Sequence, residues 1–144
     1  MNNAFELRVI DREGILFLVQ ELREFEQDKA IKAGLRRGAR RIVTAGKRNL
    51  RARMKKPQGV KGNLLKSFKV KVKRKKLGAL AGFDYMGAHS RWVDLGTKAR
   101  RDRGIMPGNK FWSDTKESEE QNALNEVYKG VERAVQRINE RRRG

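Results

Sequence analysis

Asp84, Asp94 and Lys98 are the side chains whose types could support hydrolytic chemistry in this sequence. A metal-dependent nuclease needs carboxylates that hold Mg²⁺ and a lysine near the attacked phosphate. The spacing of these three residues is loose, and His89, the one imidazole, has neither a Ser/His/Asp order nor metal-ligand spacing around it. The absence of cysteine excludes thiolate zinc sites and cysteine nucleophiles. We therefore expect no enzyme activity, no metal and no cofactor.

Positive charge is the other chemical resource of the chain, whose 144 residues include 36 Lys and Arg against 17 Asp and Glu, a formal charge of +19. Residues 1–28 sum to −4 and residues 77–144 to +3, whereas residues 29–76 contain twenty bases and no acid. Such a concentration repels itself in a compact protein, so an anionic partner is expected, either nucleic acid or an acidic protein surface. Phe68 is the only aromatic residue in this segment, so sequence-specific reading of bases is not indicated.

A basic amphipathic helix over residues 29–56 is expected to present most of this charge. Ile31, Leu35, Ile42 and Leu50 fall on one sector at about 100° per residue, and bases cover most of the rest. The bases that we expect to contact DNA or an acidic surface, on this helix and on the strand that follows, are Arg36, Arg37, Arg40, Arg41, Lys47, Arg48, Arg51, Lys69, Lys71 and Lys73.

Two glycines, Gly34 and Gly38, flank the apolar stripe of this helix. Each costs about 1 kcal/mol relative to alanine in a helix interior. Their presence predicts the close approach of another backbone at these positions.

Residues 1–28 are expected to form a strand and a short helix. Phe5, Leu7 and Val9 alternate with charged residues, and Asp11 offers an N-cap. The helix that follows should bury one face, composed of Ile15, Leu18, Val19, Leu22 and Phe25.

Residues 62–97 are expected to contain the rest of the sheet. Residues 68–73 alternate strictly between apolar and basic side chains, so one face is core and the other is a row of lysines, and residues 79–83 are the antiparallel partner. Residues 84–97 have no clean period, which leaves their secondary structure open.

The polar, basic segment 98–110 is typical of an exposed loop. The residues that we expect to contact an adjacent protein from it are Lys98, Arg100, Arg101, Arg103 and Lys110. Phe111 and Trp112 should anchor the following helix, 111–144, to the core, with Ala123, Val127 and Val131 on its buried face.

These elements predict a single α+β domain over residues 1–144, with a small antiparallel sheet packed against a long basic helix and a long C-terminal helix. The longest apolar run, residues 15–19, cannot span a bilayer, and the N-terminus has no secretory signal pattern. We expect a soluble protein that is made in the cytoplasm and makes no membrane contact.

Three short motifs occur in a fixed order along the chain. The most specific are Gly62-Asn63-Leu64-Leu65-Lys66-Ser67-Phe68 and, about thirty residues later, Trp92-Val93-Asp94-Leu95-Gly96-Thr97. The Pro-and-Phe element Met106-Pro107-Gly108-Asn109-Lys110-Phe111 and a charged C-terminal helix follow. In this order the motifs resemble those of the minor tail or neck proteins of tailed bacteriophages, which complete the head-to-tail junction.

The resemblance implies a non-enzymatic virion subunit that is assembled in the host cytoplasm. Its partners would be copies of itself in a ring, six-fold or alternatively twelve-fold, together with portal, adaptor or stopper proteins on one side and tail-tube or terminator proteins on the other. Packaged DNA would pass through the lumen. The basic face would then meet that DNA or acidic flanks of neighbouring subunits, such as Glu21, Glu24, Glu26 and Asp28. The alternative from a different class is a free-standing, non-specific nucleic-acid-binding protein.

Overall fold

A computed structural model describes residues 1–54, 63–100 and 104–143 and has the predicted α+β architecture. The helices are α1 (Arg12–Val19), α2 (Glu24–Arg53), α3 (Asn63–Lys66), α4 (Ser90–Leu95) and α5 (Phe111–Arg143). The strands are β1 (Asn2–Arg8), β2 (Phe68–Lys73), β3 (Gly78–Phe83), β4 (Gly96–Arg100) and β5 (Gly104–Pro107). Single 3₁₀ turns cover Arg74–Lys76 and Tyr85–Gly87.

The main sheet has the strand order β1-β3-β2, with β3 antiparallel to both neighbours. The predicted pairing of β2 with β3 is confirmed, because Val70 lies opposite Ala81 and Val72 opposite Ala79. Ala79 and Ala81 are buried, whereas Lys69 and Lys71 on the other face of β2 are exposed. The alternation in β2 therefore separates a core face from a lysine face.

Helices α2 and α5 pack antiparallel along most of their length and lie against the sheet. Close approach at the glycines of α2 is confirmed: a Cβ on Gly34 would lie 2.6 Å from the Val127 carbonyl oxygen, and one on Gly38 would lie 2.8 Å from the Ala123 carbonyl oxygen. The absence of a side chain at both positions lets the two helix backbones come together.

The predicted anchors Phe111 and Trp112, at the start of α5, are fully buried. The centre of the Trp112 ring lies 5.2 Å from the ring centre of Phe83 and 5.8 Å from that of Phe68, and both contacts are edge-to-face. Its indole N–H donates to the carbonyl oxygen of Asn3 at 2.9 Å. The first turn of α5 is therefore held against the sheet by aromatic packing and by a satisfied polar group.

The N-terminal prediction needs two corrections. Asp11 does cap α1, accepting the Gly14 N–H at 3.0 Å, but the chain turns after Val19 and α2 begins at Glu24 rather than at residue 29. Phe25 therefore belongs to the first turn of α2 and is 65% exposed, because the change of helix axis removes it from the buried face of α1. The expected C-terminal residues of this helix, 55 and 56, lie outside the described residues.

The segment 98–110 is not the loop that the sequence predicted. Residues Gly96–Arg100 and Gly104–Pro107 pair as an antiparallel hairpin, so most of the segment is strand. Helix α4 occupies part of the region that the sequence left open, and Gly96 ends it at φ 85°, a left-handed conformation that favours glycine. The composition of the segment could not predict this pairing, because basic residues occur in exposed hairpins as well as in loops.

Candidate functional site

The charge of α2 is partly neutralised within the chain by acids of α5. The Nε of Arg37 lies 2.5 Å from a carboxylate oxygen of Glu126, and the Nε of Arg41 lies 3.1 Å from Glu119. Arg48 also approaches Glu119, at 3.8 Å. The hydrogen bond from Arg37 is the largest cause of a lowered pKa at Glu126. These three bases are therefore less available to an external anion than the sequence suggested.

The remaining predicted bases of α2 differ in their surroundings. Arg36, Arg40 and Arg51 are exposed and have no carboxylate within 4.0 Å in the part of the chain that the structure describes. The Nζ of Lys47 lies 6.0 Å from the centre of the Phe68 ring, at the outer limit of a cation–π contact. Arg36, Arg40 and Arg51 thus retain charge that no described residue neutralises.

The lysines of β2 lie on the opposite surface of the sheet from the core. Lys69 and Lys71 are exposed, and Lys73 is partly buried beside Glu6. The pKa of Glu6 is lowered chiefly by a hydrogen bond from Arg8, with a smaller contribution from Lys73. The structure therefore does not join the lysine row and the arginines of α2 into one patch, because the two groups belong to different elements and faces.

Two of the acids expected to face neighbouring subunits are already paired inside the chain. Glu26 forms an ion pair with Arg142 of α5, and Asp28 forms one with Arg74 in the turn after β2. Glu21 and Glu24 are exposed and form no ion pair with described residues. The fold brings distant bases next to Glu26 and Asp28, so part of their charge is already balanced within the chain.

Of the five residues in 98–110 that we expect to contact an adjacent protein, three lie within the described residues. Lys98 and Arg100 belong to β4, and Lys110 is exposed immediately before α5. Arg101 and Arg103 lie outside the described residues.

Asp84 and Asp94 serve as backbone caps. Asp94 is 1% exposed, and one of its oxygens accepts the N–H groups of Trp112 and Ser113 at 3.0 and 2.9 Å, while the other accepts the Ser113 hydroxyl at 2.6 Å. Asp84 accepts the Met86 N–H at 2.9 Å. Among the described residues no group of three or more His, Asp or Glu side chains could hold a metal.

The other motif residues are also occupied by structure. The buried Ser67 hydroxyl donates to the Leu64 carbonyl oxygen at 2.7 Å, and the Ser67 carbonyl accepts the Asp84 N–H. A Cβ on Gly108 would lie 2.3 Å from the Asp94 carbonyl oxygen. The motifs that carry the family resemblance therefore connect α3, β3, α4 and α5 to one another.

Four residues that bear on the site were missed as site residues: Glu119, Glu126, Arg133 and Arg137. The acids neutralise α2, and the two arginines face the groove between α2 and α5. The i, i+4 spacing of Arg133 and Arg137 was visible in the sequence, but nothing in it showed which helix they would meet.

Apart from Met1, the exposed large apolar side chains of the described residues lie in two separate places. The corner patch, around α1 and the start of α2, comprises Ile10, Leu16, Phe17 and Phe25, which are 51 to 90% exposed. The α4 patch comprises Tyr85, Trp92 and Leu95, which are 51 to 82% exposed. Exposed apolar side chains that lie together are typical of protein-binding surfaces.

These two patches lie towards opposite ends of α5. At the corner patch, Glu26, next to Phe25, forms an ion pair with Arg142 near the end of α5. At the α4 patch, Asp94, next to Leu95, accepts the N–H of Trp112 at the start of α5. The two points of attachment are about 45 Å apart along α5 at 1.5 Å per residue. One copy of the chain therefore presents apolar surface at two distant positions.

Comparison with known proteins gives no match: no protein-family model, curated protein or solved structure is similar to this chain. Within the described residues, no helix is both long enough and apolar enough to cross a membrane.

Proposed function

We propose that this protein is a structural ring subunit of the tailed-phage neck, which joins the portal and adaptor complex to the tail and lets DNA pass. The observation that carries the proposal is the pair of exposed apolar patches at opposite ends of α5. Different patches on one subunit favour a head-to-tail contact, and head-to-tail contacts form a ring when the rotation closes. The proposed location in the neck of the virion rests on the resemblance of the ordered motifs to those of phage neck proteins.

The test is the mass of the particle that the purified protein forms, measured by light scattering and inspected by negative-stain electron microscopy. We expect a ring of six or twelve copies from the unaltered chain, and no ring from Phe17→Ser or from Tyr85→Ser. Thr44→Ser, an exposed change in the middle of α2, is the control and should leave the ring intact. A protein that stays monomeric at high concentration would contradict the proposal.

Mixing the two variants separates head-to-tail contact from symmetric contact. Phe17→Ser keeps its α4 patch and Tyr85→Ser keeps its corner patch, so an equimolar mixture should give a heterodimer that cannot grow further. If either variant alone forms dimers as stable as those of the mixture, the contact is symmetric and the head-to-tail arrangement is wrong.

A free-standing, non-specific nucleic-acid-binding protein is the second candidate. It is supported by the exposed bases without carboxylate partners, among them Arg36, Arg40, Lys69 and Lys71. Such a protein should bind duplex DNA tightly as a monomer, with affinity falling steeply as salt rises. Weak binding that does not change with salt would eliminate it.

A further inference from the structure

We propose that a groove between α2 and α5 binds the phosphate groups of a nucleic acid backbone. The groove has a volume of about 320 Å³ and is called the arginine groove here. Five arginines line it. Arg37 is paired with Glu126, and the other four, called the wall arginines here, are Arg36 and Arg40 of α2 and Arg133 and Arg137 of α5. Phosphate binding at this groove does not depend on the ring or on the two apolar patches.

Small residues form the floor of the arginine groove. Ala33, Gly130 and Ala134 line it, and a Cβ on Gly130 would lie 2.8 Å from the Cα of Gly34. The helices are therefore close together at the floor, while no bulky side chain rises from it. This leaves open space between the two helices, which the wall arginines line.

The four wall arginines are fully charged and lack a carboxylate partner. All four are exposed, and no described carboxylate lies within 4.0 Å of any of them. The guanidinium group of arginine is positively charged in proteins, so the four wall arginines repel one another. The charge must be balanced by solvent ions or by a ligand.

The next part of the same helix pair provides an internal comparison. A neighbouring groove of about 420 Å³ is lined by Arg37, Arg40, Arg41 and Arg48, and there α5 contributes Glu119 and Glu126. Arg37, Arg41 and Arg48 are paired with these acids, whereas Arg40, which lines both grooves, is not. Further along α5 the groove side carries arginines in place of glutamates, so the arginine groove lacks the acids that neutralise its neighbour.

Phosphate of a nucleic acid strand is the ligand that fits these observations. Guanidinium groups form paired hydrogen bonds with phosphate oxygens. Each helix places its two arginines about 6 Å apart, and a nucleic acid strand carries one charge per roughly 3.4 Å of axis, so about two phosphates meet four guanidinium groups. The groove has no aromatic side chain on which a base could stack. Contacts from its arginines to backbone phosphates should be independent of sequence.

The experiment compares two variants that remove equal charge. The groove variant carries Arg36→Gln, Arg40→Gln, Arg133→Gln and Arg137→Gln. The control variant carries Lys29→Gln, Lys66→Gln, Lys75→Gln and Lys76→Gln, which lie outside both the arginine groove and the lysine row. Both lower the formal charge from +19 to +15, and all eight positions are exposed. Binding to a fluorescent duplex of about 20 base pairs is measured by anisotropy between about 50 and 200 mM salt.

We expect the groove variant to lose affinity by at least about tenfold and the slope of log K against log salt to fall by about 2, close to 0.9 for each phosphate that the protein no longer neutralises. The control variant should stay within about threefold of the unaltered chain, with a smaller change in slope. Equal losses in the two variants would overturn the proposal, because the effect would then follow total charge. Tighter binding of polyglutamate than of DNA would overturn the choice of phosphate.

Two further arms keep the test decisive. The single variants Arg36→Gln and Arg137→Gln are exposed changes, and each should lower the slope by up to about 0.9 even if the fourfold variant folds poorly. Unchanged slopes in both would also overturn the proposal. Phe17→Ser retains all four wall arginines and should lose only the ring. If it still binds DNA as the unaltered chain does, the groove acts independently of the ring, and failure of one proposal can be told from failure of the other.

Discussion

Replacing Asp94 by alanine should destabilise the protein severely, because this buried carboxylate caps the longest helix. Its oxygens accept the N–H groups of Trp112 and Ser113 and the hydroxyl of Ser113. Loss of a helix cap costs about 1 kcal/mol, and buried donors left without an acceptor add about 1 to 3 kcal/mol. The expected loss in the free energy of unfolding is about 3 kcal/mol, or roughly 6 to 12 °C in Tm.

Asparagine at the same position is the informative comparison. Asp94→Asn retains one carbonyl oxygen that can accept both N–H groups, and it loses the favourable charge at the helix N-terminus, worth about 0.3 to 1 kcal/mol. Asp84→Ala, which removes one hydrogen bond at a 3₁₀ turn, should cost about 1 kcal/mol. The expected order of destabilisation therefore places Asp94→Ala well above the other two.

The assay is urea denaturation followed by far-ultraviolet circular dichroism, with DNA cleavage in Mg²⁺ or Mn²⁺ measured in parallel. If Asp94 instead held a catalytic metal, Asp94→Asn would abolish cleavage. A free energy of unfolding for Asp94→Ala within about 0.5 kcal/mol of the unaltered chain would refute the capping argument, since such a value is typical of surface changes.

Three other changes test the packing of α2, α5 and the sheet. Gly34→Ala should lower the free energy of unfolding by about 1 to 2 kcal/mol in urea denaturation, because overpacking against the Val127 carbonyl outweighs a gain of about 1 kcal/mol in helix propensity. The exposed control change Thr44→Ala should not destabilise the protein. A stabilised Gly34→Ala variant would contradict the close approach of the two helices. Because the pKa of Glu126 is lowered in the folded state, the stability that it contributes is present above its unfolded pKa and is lost as pH falls through the folded pKa. Glu126→Gln should therefore make Tm less dependent on pH in that acidic range. An unaltered profile of Tm against pH would count against the ion pair with Arg37. Trp112→Ala should cost about 3 to 5 kcal/mol by calorimetry, because a fully buried indole and its hydrogen bond are removed, while Trp112→Phe should cost less.

Much of the architecture follows from local patterns, and the N-terminal capping residue is one example. Asp11 was predicted from its side chain and position, and it accepts the Gly14 N–H in the structure. The alternation in β2 predicted both its core face and its pairing with β3. These features depend on residues close together in the chain, where helix and strand periods are directly readable.

Boundaries were less predictable where two helices follow one another. Phe25 continues the apolar spacing of α1, yet it lies on α2 and is exposed. The spacing was compatible with one continuous face, and only the turn after Val19 showed that the axis changes. The hairpin in 96–107 was missed for a related reason, since its pairing depends on hydrogen bonds between strands rather than on an apolar alternation.

By itself, the sequence determined the total charge, its concentration in residues 29–76 and the need for close backbone approach at Gly34 and Gly38. Only the tertiary structure decided which of those charges remain available. Arg37 meets Glu126, 89 residues away along the chain, whereas Arg36 meets no described carboxylate. The reason is physical: an ion pair forms over a few ångströms in space, and the antiparallel packing of α2 on α5 sets which side chains come that close.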